Sequence, residues 1–282
     1  MTPQHPAVMV TGANGGIGTA LTRALIDAGY TVYAGVRDVD QARAALAPEA
    51  RLVRLDVTDP AGVEAAAADV ARQQHGAGLH ALVNNAGIIV QGPLELSSAD
   101  DLRHQFDVNV VGAMTVTNAF LPLLRQGAPG RIVNVSAATA RTAVPFMGPI
   151  SSSKAALESL SDALRIELAP WGIRVVIVEP GATDTAIFAK AQARSNQAMA
   201  ATADDKVALY EPSLAALGKA MAKTKLHPVD RVTRVIVKAV GARNPKHRYV
   251  SSSDARNLVL LSHLPSRARD RLLTGTLGLK KV

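Results

Sequence analysis

A doubly wound α/β fold is the architecture that this 282-residue sequence predicts: a parallel sheet of about seven strands flanked by helices. Three observations predict it. Short apolar or β-branched runs alternate along the chain with stretches of helical pattern. Those runs are apolar throughout rather than alternating with polar residues, as strands covered on both faces are. A glycine-rich turn separates the first run from the first helical stretch. Neither an internal repeat nor a linker-like segment interrupts the pattern. Residues 1–282 are therefore expected to form a single domain, with a helical insertion at 183–226 and a helical tail at 254–282.

In chain order, the expected strands are 7–10, 31–36, 51–55, 79–83, 131–135, 174–178 and 248–250. Between them, residues 17–28, 60–74, 102–125 and 154–168 read as helices. The alanine-rich run 61–71 is good helix composition. Residues 183–224 contain no strand pattern, are rich in Ala and Lys and include Pro212, so they read as a helical lid after the sixth strand.

Composition narrows the function classes. Hydrophobic residues make up 48% and charged residues 19%, as in ordinary globular proteins. Aromatics are only 3%, so the core must rest on Ala, Val, Leu and Ile. The absence of cysteine excludes disulfides and thiolate chemistry. No segment is expected to approach the roughly 18 apolar residues of a membrane helix. The first ten residues run almost directly into a strand, so no secretory signal is read and a cytoplasmic location is expected.

The net charge is +8 with a pI of about 10.0. The charges are dispersed, and few aromatics are present to stack on bases. A solvated surface and an anionic cofactor are thus expected, rather than nucleic acid or stable membrane insertion. The one local enrichment is Arg267, Arg269, Arg271, Lys280 and Lys281. The seven histidines (His5, His75, His80, His104, His227, His247 and His263) show no metal-ligand spacing, and no metal is expected.

The segment from Val8 to Gly18 reads as strand, glycine-rich turn and helix start, with Thr11, Gly12, Asn14, Gly16, Ile17 and Gly18 at the turn. Glycines let the backbone approach a pyrophosphate, and the free N–H groups and dipole of the following helix favour its charge. Dinucleotide binding follows. The spacing Thr-Gly-x-x-x-Gly-x-Gly resembles that of the short-chain dehydrogenase/reductase family, and further motifs continue the likeness in order. They are Asp56-Val57, Asn84-Asn85-Ala86-Gly87, the segment from Asp107 to Gly112 that contains Asn109, and Glu179-Pro180-Gly181 with Thr183 and Thr185. The likeness covers residues 7 to about 190 and implies a Rossmann-type fold.

The resemblance assigns cofactor contacts to Gly12, Asn14, Gly16, Ile17, Gly18, Asp56, Val57, Asn85, Ala86, Gly87, Lys154, Pro180, Gly181, Thr183 and Thr185. At the end of the second strand, Val36 stands where NAD-preferring members place an acid, and Arg37 follows. A guanidinium suits a 2′-phosphate, so NADP(H) is favoured over NAD(H), with an inward turn of Asp38 as the alternative.

The family's chemistry uses a Ser, a Tyr thirteen residues later, a Lys four residues after that, and an Asn. In this sequence Lys154 and Asn109 match, but the Tyr position holds Ile150 and the Ser position holds Ala137. A positioned general acid contributes about 10²–10⁴-fold, or roughly 3–5.5 kcal/mol of barrier. Ordinary ketone reduction should therefore be slow or absent. Ser136, Thr139, Thr142, Ser151 and, from the lid, Tyr210 are the nearby hydroxyls.

Three readings stay open. The first is a reductase acting on an iminium, a C=C or a strongly polarised carbonyl. The second is a non-redox lyase, isomerase or cyclase. The third is a nicotinamide-binding protein without catalysis, natural or altered. The expected substrate pocket comprises Ile88, Val90, Val144, Phe146, Met147, Ile187, Phe188 and Tyr210, mostly apolar, which suggests a small hydrophobic substrate. The resemblance also implies a homodimer or homotetramer.

Overall fold

The computed structural model describes residues 5–127 and 129–279. Among these, seven strands form one sheet: β1 (Ala7–Thr11), β2 (Thr31–Val36), β3 (Arg51–Arg54), β4 (Ala81–Asn84), β5 (Arg131–Val135), β6 (Arg174–Glu179) and β7 (Arg248–Val250). Their order is β3-β2-β1-β4-β5-β6-β7 and every pairing is parallel. The chain runs outward from β1 to β3, then returns to the other side of β1 at β4. That reversal opens a crevice above the carboxyl ends of β1 and β4, where sheets of this class bind ligands.

Both faces of the sheet are covered, so alternate residues of each strand enter two cores. Met9, Tyr33, Leu82, Ile132 and Val175 point to one side, against Val63 and Val70 of α3 (Pro60–Gln74), Val116 and Phe120 of α5 (Gly112–Gln126) and Leu164 of α6 (Gly148–Glu167). Val8, Val10, Val32, Val83, Val133 and Val176 point to the other, against Leu21 and Leu25 of α1 (Gly16–Asp27) and Ile236 and Val240 of α10 (Val229–Gly241). Each such aliphatic side chain contributes about 1.5–3 kcal/mol on full burial. Buried Arg131 ties the layers together: it donates to the carbonyls of Ala239, Val240 and Ala242 and so places a cation at the C-terminus of α10.

The structure departs from the sequence reading in three places that bear on function. The expected helix 154–168 begins at Gly148, six residues early; Pro149, whose fixed φ suits a first turn, starts it. The expected helix 102–125 is α4 (Ala99–Phe106), a π-helical turn (Asp107–Val111) and α5. Taken as one body, Ala99–Gln126 is long and apolar enough to cross a membrane. This corrects the expectation that no segment approaches that length. Over half of its most apolar stretch is buried, and Val116, Phe120, Leu123 and Leu124 sit in the core.

The insertion after β6, expected to be a lid, consists of α7 (Ile187–Ala200), α8 (Asp204–Ala208) and α9 (Glu211–Ala222). Two helices, α11 (Ser253–Leu261) and α12 (Ser266–Leu277), form the tail, and α12 packs against α9. Lys280 and Lys281 lie outside the described residues. The remaining helix, α2 (Val39–Ala45), follows β2.

Candidate functional site

The glycine turn closes as its spacing predicts. Gly12 adopts φ +63°, and a Cβ there would sit 2.9 Å from Ala86 Cα. A Cβ on Gly18 would collide with the Gly12 carbonyl, and one on Gly16 would come within 2.7 Å of the Thr185 side chain. The turn thus touches the loops after β4 and β6, and only glycine permits either approach. Helix α1 starts at Gly16 with no side-chain cap and no acid in its first turn, so its leading N–H groups and dipole face the crevice uncompensated.

The mouth of the crevice is braced by Thr11 and Asn85. Thr11 Oγ1 accepts the amides of Asn85 and Ala86, both at 3.0 Å. Asn85 Nδ2 donates back to the carbonyls of Thr11 at 3.0 Å and Gly12 at 3.2 Å. These bonds tie the ends of the paired strands β1 and β4 to each other just where the strand order reverses.

At the end of β2, Asp38 does not turn inward. It caps α2, its Oδ1 accepting the Gln41 amide at 3.0 Å, which leaves exposed Arg37 as the charged residue at the strand end. Asp56 accepts the amide of Thr58 at 2.9 Å and its hydroxyl at 2.7 Å. Burial alone would raise the Asp56 carboxyl, but these bonds and the Arg37 charge outweigh it and hold it below the usual range.

Because α6 begins at Gly148, Ile150 and Lys154 lie one turn apart on the same helical face, and both are buried. Lys154 Nζ donates to the Val135 carbonyl at 2.7 Å. Burial pushes the ammonium down to about 8, opposed in part by Glu158 one turn further on. Asn109, in the π-helical turn, uses its amide fully. Oδ1 accepts the Ile88 amide at 2.9 Å, and Nδ2 donates to the Ile88 carbonyl at 3.1 Å and Ser153 Oγ at 3.2 Å. Lys154 and Asn109 converge on Gly87, where a Cβ would lie 3.5 Å from Lys154 Nζ and 3.3 Å from Asn109 Oδ1.

Ala137 lies in extended backbone just before the turn Ala138–Ala140. Its neighbour Ser136 is turned to other work: Oγ donates to Glu158 Oε1 at 2.6 Å. Glu158 in turn accepts from Arg248, which also bonds Asp162 at 2.6 Å and Glu179 at 3.0 Å. Burial, with Glu179 nearby, holds the Glu158 carboxyl above its ordinary range. Thr142 donates to the Leu258 carbonyl at 2.8 Å, so α11 lies on the same loop. Among the described residues the hydroxyls of Thr139 and Ser151 are buried without a protein partner. Tyr210 is held by Glu95, to which its hydroxyl donates at 2.6 Å, and this bond fastens the lid to the turn Leu94–Leu96.

The loop after β6 carries Pro180, Gly181, Thr183 and Thr185. The Ala138 amide donates to the Pro180 carbonyl at 2.9 Å, joining this loop to the end of β5. Two residues that the sequence reading did not single out for this site hold it from the other side. Asp254 Oδ2 accepts the Ala182 amide at 2.8 Å, and Asp254 Oδ1 pairs with His227 Nε2 at 2.8 Å. The His227 backbone bonds both Ala182 and Asp184. Burial would raise the Asp254 carboxyl, but the Ser252, Ala182, Ala255 and His227 contacts outweigh it and hold it low. No local motif announces a contact between residues so far apart in the chain.

Ile88, Val144, Phe146, Met147, Ile187 and Phe188 are all half-buried, on the loops after β4 and β5 and the start of α7. Phe146 has φ +65°, strained for a bulky residue, and its carbonyl accepts the Gly92 amide at 2.8 Å, so that bond holds the two loops together. Among the described residues no cluster of metal-ligating side chains is present.

The fold is shared with known proteins. A family profile described as short chain dehydrogenase matches residues 6–196. The chain is 33% identical over 257 residues to 3-amino-tetrahydro-pyrrolizinone reductase of Xenorhabdus hominickii, covering 89% of this chain and 88% of that one. It is 35% identical over 284 residues to retinol dehydrogenase 16 of Mus musculus, covering 97% and 89%. A short chain dehydrogenase from Burkholderia cenocepacia, solved in complex with NADP, superposes with a TM-score of 0.74 at 26% identity, over 97% of this chain and 99% of that one.

Proposed function

The chain belongs to the short-chain dehydrogenase family, and from that premise we propose that it binds NADP(H) and passes hydride to a carbon already activated to receive it. The acceptor is an iminium or a strongly polarised conjugated group of an apolar substrate, and no tyrosine supplies a proton. The observation that carries this reading is the pair Ile150 and Lys154. The lysine stands buried at the converging point of the site, while one turn earlier the family's acid position presents a buried hydrocarbon.

The residues present fit a dinucleotide. Glycine is required at Gly12, Gly16 and Gly18 along the floor, the N-terminus of α1 faces the pyrophosphate position, and Gly87 leaves space beside Lys154. A nicotinamide bound there would supply hydride. Lys154 is placed to hold the ribose, and Arg37, with Asp38 withdrawn to cap α2, favours a 2′-phosphate. Asn109 fixes the Ile88 backbone and so shapes the pocket wall.

Hydride delivered to an iminium carbon would give a neutral amine with no proton to place, and hydride added to a conjugated carbonyl would give a stabilised enolate that takes its proton from water, so an apolar Ala137 and Ile150 cost such reactions little. Reduction of a simple ketone creates an alkoxide, and no ionisable acid stands at either position to protonate it. The relative named for a pyrrolizinone supports a nitrogen-heterocyclic or conjugated carbonyl substrate. Assembly through α4–α5 and α6 belongs to the same reading and is supported by exposed Val111, Leu160 and Ile166 on those helices.

The reading is tested by following NADPH consumption with a panel of cyclic iminium salts, enones and simple ketones. Turnover confined to the pre-activated acceptors is expected; brisk reduction of simple ketones would overturn it.

A further inference from the structure

The whole-chain charge conceals a sharp division. Residues 1–185 hold 13 Lys and Arg against 17 Asp and Glu, whereas residues 186–282 hold 18 against 6. All of the chain's net positive charge thus belongs to its last third. This corrects the reading of dispersed charge. A charge asymmetry of this kind between parts of a chain points to an anionic partner surface.

Structure places part of this charge around the site. Helix α9 of the lid and α12 of the tail pack on one another, and α11 rests on the Ala138–Ala140 turn and the Thr142 loop beside the catalytic segment. Across the described lid and tail residues, 186–226 and 251–279, there are 10 basic residues against 5 acidic ones. Lys219, Lys223 and Lys225 at the end of α9, Arg256 on α11, and Arg267 and Arg271 on α12 are exposed. Among the described residues none of these six is in an ion pair. Large apolar side chains stand out among them: Leu209 is 70% exposed, Leu260 60% and Leu272 50%.

We infer that this lid-and-tail face seats the protein reversibly on an anionic lipid bilayer. Cations interspersed with exposed leucines match an interface whose headgroups are negative and whose next layer is hydrocarbon. A second copy of the same face is disfavoured by its own charge. Nucleic acid is disfavoured because the face has leucines where base stacking calls for aromatics. The inference stands apart from the proposed chemistry. If both hold, the apolar substrate enters the site from the bilayer side.

The test is co-sedimentation of the full chain with vesicles of phosphatidylcholine alone or containing phosphatidylglycerol, at about 0.1 M and about 0.5 M salt. Duplex DNA and an acidic soluble protein serve as competing partners. Binding to the anionic vesicles only, released by high salt, is expected. Reversing Lys219→Glu, Lys223→Glu and Lys225→Glu together should weaken it by at least roughly 100-fold. Leu260→Ser with Leu272→Ser should weaken it at unchanged charge. NADPH binding and the circular dichroism spectrum of each variant report an intact fold. No binding to anionic vesicles at low salt, binding indifferent to these substitutions, or a clear preference for DNA or the acidic protein overturns the inference.

Discussion

Ile150 and Lys154 lie one helical turn apart on α6, both buried, with the lysine ammonium bonded at 2.7 Å to the Val135 carbonyl and the isoleucine offering only hydrocarbon. A site built this way can hold and orient a cofactor, yet has no group at that position to deliver a proton. The consequences divide into what the lysine does and what the isoleucine withholds.

For the lysine, pH is the lever. Its folded pKa is depressed to about 8 from a usual value of 10.5, so the unfolded chain holds this proton more tightly. The sign follows: burying the charged ammonium costs stability in full below about pH 8, and that cost is relieved as pH rises from there towards the unfolded value. The ammonium's hold on the cofactor runs the other way and fades above about pH 8. NADPH titrations across this window should therefore show weaker binding at the alkaline end, and Lys154→Met should abolish the trend. Glu158→Gln removes the carboxylate that opposes desolvation and should move the midpoint to lower pH.

For the isoleucine, the proposed reading predicts that a Ser and a Tyr at these positions bring ordinary ketone reduction with them. Ala137→Ser with Ile150→Tyr is expected to raise the rate on simple ketones by about 10²-fold or more, with NADPH affinity little changed. Steady-state kinetics on a ketone panel measures this. A double variant that binds NADPH and stays inert would show that the pocket does not face these two positions.

In the proposed reading, cofactor choice rests on Arg37, because Asp38 is occupied as the cap of α2. Arg37→Ala should weaken NADPH about tenfold or more and leave NADH nearly unchanged; parallel binding titrations read the difference.

The loop after β6 depends on Asp254, which accepts the Ala182 amide and lies against His227. A hydrogen bond to a charged group is worth about 1.5–3 kcal/mol, so Asp254→Asn should loosen the loop and raise the NADPH dissociation constant roughly tenfold. Since the Asp254 carboxyl is held low, its contribution is present at neutral pH and lost as pH falls through the ordinary carboxylate range and below. Thermal unfolding of wild type and variant should therefore converge in acid.

Gly18 marks the tightest approach in the phosphate turn. Gly18→Ala drives its Cβ into the Gly12 carbonyl, and a destabilisation of about 1–3 kcal/mol with loss of NADPH binding is expected from calorimetry and titration.

Much of this was legible in the sequence. The parallel sheet, the glycine turn and the residues gathered around Gly87 follow from continuous apolar runs and ordered motifs, because those signals are local. What escaped depends on the surrounding structure. The start of α6 at Gly148, with Pro149 in its first turn, moved Ile150 into a helix. The π-helical turn that carries Asn109 shows no break in apolar periodicity. His227 and Asp254 meet only because the lid's end and the tail's start fold over the same loop. The tail's arginines stand close enough in sequence to be noticed, whereas the excess of basic residues in the lid is spread too thinly along the chain.

The central claim is most directly tested by carrying stereospecifically deuterated NADPH through a reaction with a cyclic iminium substrate. Deuterium at the former C=N carbon of the amine product, with no comparable transfer to a simple ketone, is the predicted result. Product formed without label, or labelled alcohol formed at comparable rate from the ketone, would contradict it.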